Sequence, residues 1–311
     1  MTTYEGVGTV GVIGAGTIGA SWAAYFLSRG LAVRASDPAP DAAQRLARFI
    51  DAAWPALTTL GLAEDADRSR VTFMADPVDA VAGCDFIQES GPDRVETKQA
   101  LLERIGAALP ATVIIASSSS NLMPSQIQAR CPHPERVVVG HPFNPPHLIP
   151  LVEVCGGEQT APEVVDRALA FYRAIGKRAI RLNKEMPGHV SNRLQAAIWR
   201  EAAYLVEQGV VDVADVDAAV AQGPGIRWAL MGPALTHHLG GGEGGLRHLW
   251  KNFGPAILWP HLGAQQDSPA LIDTLAAGVE QEAEGRSMAE WARWRDDKLV
   301  AILQVLRKDE P

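Results

Sequence analysis

The chain has little cysteine. Its three residues, Cys84, Cys131 and Cys155, are scattered with no Cys-x-x-Cys spacing. So odd and dispersed a set supports neither a disulfide framework nor a cysteine-ligated zinc site, and it suits a reducing compartment. Long hydrophobic runs are also absent, with no stretch reaching the roughly 18 uninterrupted apolar residues of a membrane helix. The most apolar start, Thr9 to Ala24, is broken by Gly11, Gly14, Gly16 and Gly19 and has no basic segment before it. This is not a secretory signal pattern, so a cytoplasmic protein with no membrane partner is expected. Positive charge is in deficit: 28 Lys and Arg against 36 Asp and Glu leave a formal net charge of −8. A dedicated nucleic-acid binder is therefore not expected. Internal repeats and low-complexity tracts are missing, and His237-His238 lacks a third ligand at useful spacing, so no metal is expected.

What is present is an ordinary globular composition, 47% hydrophobic and 21% charged over 311 residues, long enough for two domains. From Thr9 short β-branched runs alternate with longer helical patterns. Strands are expected at 10–13, 31–35, 85–88, 113–116, 137–139, 151–154 and 179–182, with helices at 18–28, 93–108 and 162–175. Such alternation predicts an α/β, Rossmann-type, mostly parallel sheet covered on both faces. Beyond Pro187-Gly188 the strand signal stops, and helices are expected at 192–208, 213–221 and 287–306. Six of the eight tryptophans lie there. The expected division is residues 1–185 as a dinucleotide-binding domain and 186–311 as an all-helical substrate-binding and dimerisation domain.

Gly14-Ala15-Gly16-Thr17-Ile18-Gly19 follows the first strand and opens the first helix, and Asp37 ends the second strand 18 residues after Gly19. Gly14 suits a tight turn, Gly16 lets backbone approach a diphosphate, and Gly19 lets the helix pack closely on the sheet. The helix start, with Thr17 and Ile18, meets that anion with N–H groups and a positive dipole end. Asp37 would accept the ribose hydroxyls and repel a 2′-phosphate, favouring NAD over NADP, although Arg34 and Arg45 lie nearby. Asp37-Pro38 also reads as a simple turn.

His141, in Gly140-His141-Pro142-Phe143-Asn144, follows a strand, and Glu153 lies on the next extended run. A carboxylate at one ring nitrogen fixes the tautomer and leaves the other nitrogen to take a proton. The pair suggests alcohol oxidation with His141 as general base. His133 and His147, in proline-rich loops, are read as solvated.

With these motifs the sequence resembles the 3-hydroxyacyl-CoA dehydrogenase superfamily over nearly its whole length. The resemblance implies a catalytic His141–Glu153 pair, an active-site serine at Ser120 and an active-site asparagine at Asn192. It further implies cofactor contacts from Asp93, Lys98 and Asn144, though Lys98 also reads as a helix-surface lysine. Two departures stand out: Ser118 replaces an asparagine in the family's SNTS run (here Ser117 to Ser120), and Asp93 replaces a glutamate. Trp199-Arg200-Glu201-Ala202, Gly225 to Pro233, Gly240 to Gly245, Phe253-Gly254-Pro255, Trp259-Pro260 and Gly285-Arg286-Ser287 are similar to the non-CoA branch. That branch includes L-carnitine and L-gulonate 3-dehydrogenases, and the first is the more similar. It implies NAD-dependent oxidation of a small L-3-hydroxy acid by a homodimer. The rivals are L-gulonate or a 3-hydroxybutyrate-type acid as substrate, or a catalytically silent NAD-binding structural protein. A quaternary ammonium has no N–H to donate, so it calls for aromatic faces. Candidates are Trp199, Tyr204, Trp228, Trp250, Phe253 and Trp259, with Glu201 or Glu243 supplying negative field. Phe143 is a further substrate candidate. A substrate carboxylate would be met by Arg193, Arg200 or Arg227.

Overall fold

The computed structural model describes residues 4–257, 269–283 and 285–307, with backbone alone for 253–257 and residue 307. The chain divides into two compact units, the first comprising residues 1–192 with 295–308, the second 193–294 with 309–311.

The first unit is built on eight strands: β1 Thr9–Ile13, β2 Ala32–Ser36, β3 Val71–Met74, β4 Phe86–Glu89, β5 Ile114–Ser117, β6 Val137–Pro142, β7 Leu151–Gly156 and β8 Arg178–Arg181. They form one sheet in the order β3-β2-β1-β4-β5-β6-β7-β8. The first six are parallel, β7 pairs antiparallel with β6, and β8 runs parallel to β7. Every residue of β4 and β6 is buried, as expected of central strands covered on both faces. Alternation along the strands splits the core in two. Val10, Val12, Phe86, Ile114 and Val138 join one cluster, while Ile13, Ile87, Ile115, Val137 and Val139 join the other.

Helices α1 Thr17–Ser28, α2 Ala42–Leu60, α3 Pro77–Val81, α4 Val95–Ala108, α5 Pro124–Gln128 and α6 Pro162–Ala174 connect the strands. α1 is apolar nearly all round and buried from Gly19 onward; its Trp22 and Phe26 stack with ring centroids 5.1 Å apart. Gly30, with φ +79°, turns the chain from α1 into β2. Strand order reverses between β1 and β4, and a doubly wound sheet opens a ligand crevice at the carboxyl ends of such a pair.

One expectation fails in this unit. His147 is not solvated but buried. Its Nδ1 lies 2.8 Å from Ser21 Oγ, which also accepts the His147 N–H, and Phe49 packs edge-on against its ring. Burial, with Lys177 nearby, pushes the imidazole down to about 4, so it is neutral. Its proline-rich loop folds over α1, which local sequence does not reveal. His133 is exposed, as expected, beside Glu135.

The second unit is helical. It takes α7 Ser191–Glu207 from Arg193 onward, α8 Val213–Gln222, α9 Pro224–Leu230, α10 Pro233–Gly240, α11 Gly245–Ile257, α12 Pro269–Glu282 and the start of α13 Met288–Arg307. Its core gathers Ala203, Val206, Val213, Val216, Leu271 and Leu275. Many large apolar side chains remain on its surface, among them Leu194, Trp199, Leu230, Leu239 and Trp250. Trp259-Pro260 lies outside the described residues. No helix among the described residues is long and apolar enough to cross a membrane.

Candidate active site

The glycine loop leaves the carboxyl end of β1 directly into α1. Gly14 has φ +93°, and a Cβ there would meet the backbone of Ser90 and Gly91 at 2.6–2.7 Å. β1 and β4 thus touch at the reversal point. A Cβ on Gly19 would sit 1.7 Å from the Gly14 carbonyl oxygen, whereas one on Gly16 would meet nothing within 4 Å. Gly16 therefore faces open space, as close approach of a diphosphate requires. The first-turn N–H groups of α1, at Thr17 and Ile18 among others, have no acceptors within the helix. Asp37 is pinned beside them, accepting from Ala15 N–H at 2.8 Å and Ala39 N–H at 2.9 Å. A hollow of about 430 Å³ lies against Ala15, Gly16, Thr17 and Ala20, walled by Arg45, Arg48 and Phe49 of α2. These features fit a dinucleotide, with its diphosphate on the helix start.

Three strands along, the antiparallel pairing of β6 with β7 sets His141 opposite Glu153. The His141 Nδ1 to Glu153 Oε2 distance is 2.9 Å, and both side chains are buried. Glu153 Oε1 accepts from the N–H groups of Val190 and Ser191, each at 3.0 Å. Burial by itself would raise this carboxyl. The hydrogen bonds from His141, Ser191 and Val190 outweigh it and hold the group down to about 2. An ionised carboxylate only accepts, so the Nδ1 of His141 carries the proton and the neutral ring leaves Nε2 as a base.

The serine loop follows β5. Asp93, exposed ahead of α4, caps it: Oδ1 accepts from Ser119 Oγ at 2.5 Å, and Oδ2 accepts from Ser120 Oγ at 3.2 Å and from the N–H groups of Ser120 and Asn121. Asn192 Nδ2 donates to Ser120 O at 3.1 Å. Asn144 is exposed two residues beyond β6, and Phe143 beside it is half-buried. Lys98 is neither on the surface nor turned outward. It is 1% exposed, with Nζ donating to both oxygens of Glu89 at 2.8–2.9 Å and to Gly91 O at 3.2 Å. Ser117 Oγ donates to Glu89 Oε2 at 2.5 Å.

The hydroxyl at Ser118 is also accounted for. Gln88 Nε2 donates to Ser118 Oγ at 2.8 Å, Ser118 and Ser90 hydroxyls meet at 2.9 Å, and Tyr172 OH donates to Gln88 Oε1 at 2.6 Å. In the helical unit Trp199 and Trp228 are surface residues, 56% and 38% exposed. Among the described residues no group of His, Cys, Asp and Glu could hold a metal.

Sequence reasoning missed the buried Glu89 partner of Lys98, the Gln88 relay and His189. The last is 1% exposed, with its ring centroid 5.0 Å from that of His141. Pro187-Gly188 signals only a boundary; a histidine directly after a Pro-Gly turn is the one available hint.

Residues 9–186 match the family described as 3-hydroxyacyl-CoA dehydrogenase, NAD binding domain, and residues 188–291 its C-terminal domain. The chain is 50% identical over 303 residues to an L-carnitine dehydrogenase of Streptomyces griseus subsp. griseus, covering 97% of this chain and 90% of that one. It is 45% identical over 310 residues to an L-carnitine dehydrogenase of Pseudomonas aeruginosa, covering 99% and 97%. Among solved structures it is similar to 5-formyl-3-hydroxy-2-methylpyridine 4-carboxylic acid 5-dehydrogenase, an NAD+-dependent dismutase, with TM-score 0.85 and 31% identity over 98% of this chain and 100% of that one. A glycine crevice at the sheet reversal, a buried His–Glu pair on adjoining strands and matches over almost the whole chain lead to one assignment: this is an NAD-dependent oxidoreductase acting on CH–OH groups, and it belongs to the 3-hydroxyacyl-CoA dehydrogenase family.

Proposed function

We propose that the protein oxidises L-carnitine to 3-dehydrocarnitine, with His141 as general base. The observation that carries the mechanism is the 2.9 Å contact between His141 Nδ1 and an ionised Glu153. The substrate rests on the relatives named L-carnitine dehydrogenase, 43–50% identical to this chain. Bound NAD supplies the hydride acceptor. His141 takes the C3 hydroxyl proton at Nε2, and Glu153 stabilises the imidazolium that forms. Ser120 and Asn192 position the hydroxyl. Gly14, Gly16, Thr17, Ile18, Gly19 and Asp37 would hold the cofactor, with Asp93, Lys98 and Asn144 as further contacts. Lys98 would act through Gly91, whose carbonyl it holds. We assign the cofactor to residues 1–185 and substrate recognition and homodimerisation to 186–311, of which 186–192 and 295–308 group with the first compact unit, and place the enzyme in the cytoplasm. In the helical unit Trp199 and Trp228 are the aromatic candidates for the trimethylammonium and Arg193 the candidate for the carboxylate, and in the first unit Phe143 is a further substrate candidate. The exposed apolar side chains of the helical unit support a partner face.

NADH formation followed with L-carnitine, D-carnitine, L-gulonate and 3-hydroxybutyrate, with acetoacetyl-CoA in reverse, tests the substrate. L-Carnitine is expected to lead in kcat/KM by about 100-fold; preference for the CoA ester or for L-gulonate overturns the reading.

NAD is expected to raise the thermal midpoint clearly more than NADP at equal concentration, because a ligand stabilises according to its affinity and Asp37 repels a 2′-phosphate. Arg45 and Arg48 in the hollow oppose that preference, so an equal shift with NADP would reassign Asp37 to a turn role alone.

A further inference from the structure

We propose that His189 is a positioning residue for the His141–Glu153 pair, holding the serine loop and the Glu153 carboxylate in register from one left-handed turn. The inference rests on the reading of that pair as the general base. Gly188 and His189 are consecutive residues with φ +74° and +51°. Glycine adopts such a backbone readily; residues with a Cβ do so in only a few per cent of cases, histidine more often than most, and at a cost that the surroundings must offset.

Those surroundings are visible. His189 N–H donates to Met186 O at 3.0 Å, closing the turn. The turn then presents two successive N–H groups, Val190 and Ser191, to Glu153 Oε1. With Oε1 so engaged, Oε2 faces His141. The side chain reaches the other way: its Nε2 lies 3.0 Å from Ser119 O, a carbonyl that can only accept, so Nε2 carries the proton. Three residues on, Asn192 holds the next carbonyl, Ser120 O. One four-residue segment thus ties the Glu153 carboxylate to the serine loop.

The chemistry of the remaining nitrogen fixes the charge. Among the described residues His189 Nδ1 is buried without a hydrogen-bond partner. As a lone pair it tolerates that position better than it would as an unpaired, charged N–H. Burial and the nearby His141 push the ring's titration down, against the opposing pull of Ser119 O, Glu153 and Asp93. Among the described residues the titratable groups whose charge acts on it are His141 from β6, Glu153 from β7 and Asp93 from the loop before α4. A neutral ring beside His141 adds no repulsion when His141 takes up its proton, as an ammonium or guanidinium there would. Phenylalanine would fill the space but leave Ser119 O unpaired.

His189→Phe and His189→Gln test the proposal, the glutamine amide standing near the position of Nε2–H. His189→Phe is expected to lower kcat about 10- to 100-fold, the scale of a small misplacement of catalytic groups, with KM changing much less. His189→Gln should recover most of the loss. In cofactor-free protein, NMR titration of the His141 ring should move to lower pH in His189→Phe, because a loosened Glu153 stabilises the imidazolium less. Should His189→Phe fail to fold, His189→Asn carries the same test, being at home in a left-handed turn and too short to reach Ser119. Unchanged kcat, or a loss of kcat with the His141 titration unmoved and no recovery in His189→Gln, overturns the proposal. Wild-type protein inactive on every hydroxy acid would instead overturn the proposed function, and the His141 titration still decides the role of His189.

Discussion

Replacing His141 by alanine is expected to lower kcat for alcohol oxidation by about two to four orders of magnitude, the contribution of a well-placed general base, with NAD affinity essentially unchanged. The separation follows from where the groups sit. The glycine loop and Asp37, proposed to carry most of the cofactor's binding, sit at the ends of β1 and β2, while His141 stands on β6, three strands from β1. Only the neutral ring accepts a proton, so the oxidation rate should rise with pH through the imidazole titration. Glu153 is held at about 2, so it stays ionised across that range and adds no second step. Glu153→Gln removes the negative charge that stabilises the imidazolium. The imidazole titration then falls, the acid limb of the profile moves to lower pH, and kcat drops because proton acceptance is less favourable. Steady-state rates between pH 5 and 10 with calorimetric NAD binding give both readouts. A flat profile, or a His141→Ala variant that turns over normally, would remove His141 from the chemistry.

That this pair is legible in the sequence, while other parts are not, has a physical basis. The dinucleotide crevice announces itself locally, since a β-branched run, a turn that only glycine allows and an amphiphile-free buried helix follow each other within about twenty residues. His141 and Glu153 were legible because each sits within a strong extended run, though their direct opposition depends on β7 running antiparallel to β6, which periodicity does not encode. β3 has four residues, none fully buried, and α2 carries Pro55 within its 19 residues; neither gives a clean local signal. His147 and His189 escaped for a different reason. Their meaning comes from Ser21, 126 positions away, and Ser119, 70 positions away, and no local pattern points across such distances.

Lys98 has local and long-range surroundings that differ most sharply, and replacing it by methionine is expected to destabilise the cofactor-free protein by about 3–5 kcal/mol, the cost of leaving a buried charge without its partner. Glu89 is 0% exposed, and Lys98 is one of three donors to it, with Ser117 Oγ and Gly91 N–H. Both hydroxyl and peptide donors survive the substitution, but neither carries charge. On thermal unfolding the loss should read as a fall on the order of 10 °C. Pairing Lys98→Met with Glu89→Gln should restore much of it, since the amide no longer brings an uncompensated charge into the core. A lysine whose value lay in touching the cofactor would behave oppositely, weakening NAD binding while leaving the unliganded melt untouched. The geometry favours the first outcome, because Nζ already meets Glu89 and the Gly91 carbonyl, and through Gly91 it braces the loop that leaves β4 at the crevice. Some weakening of NAD binding should therefore accompany the stability loss, and the double variant should repair the melt more completely than the affinity.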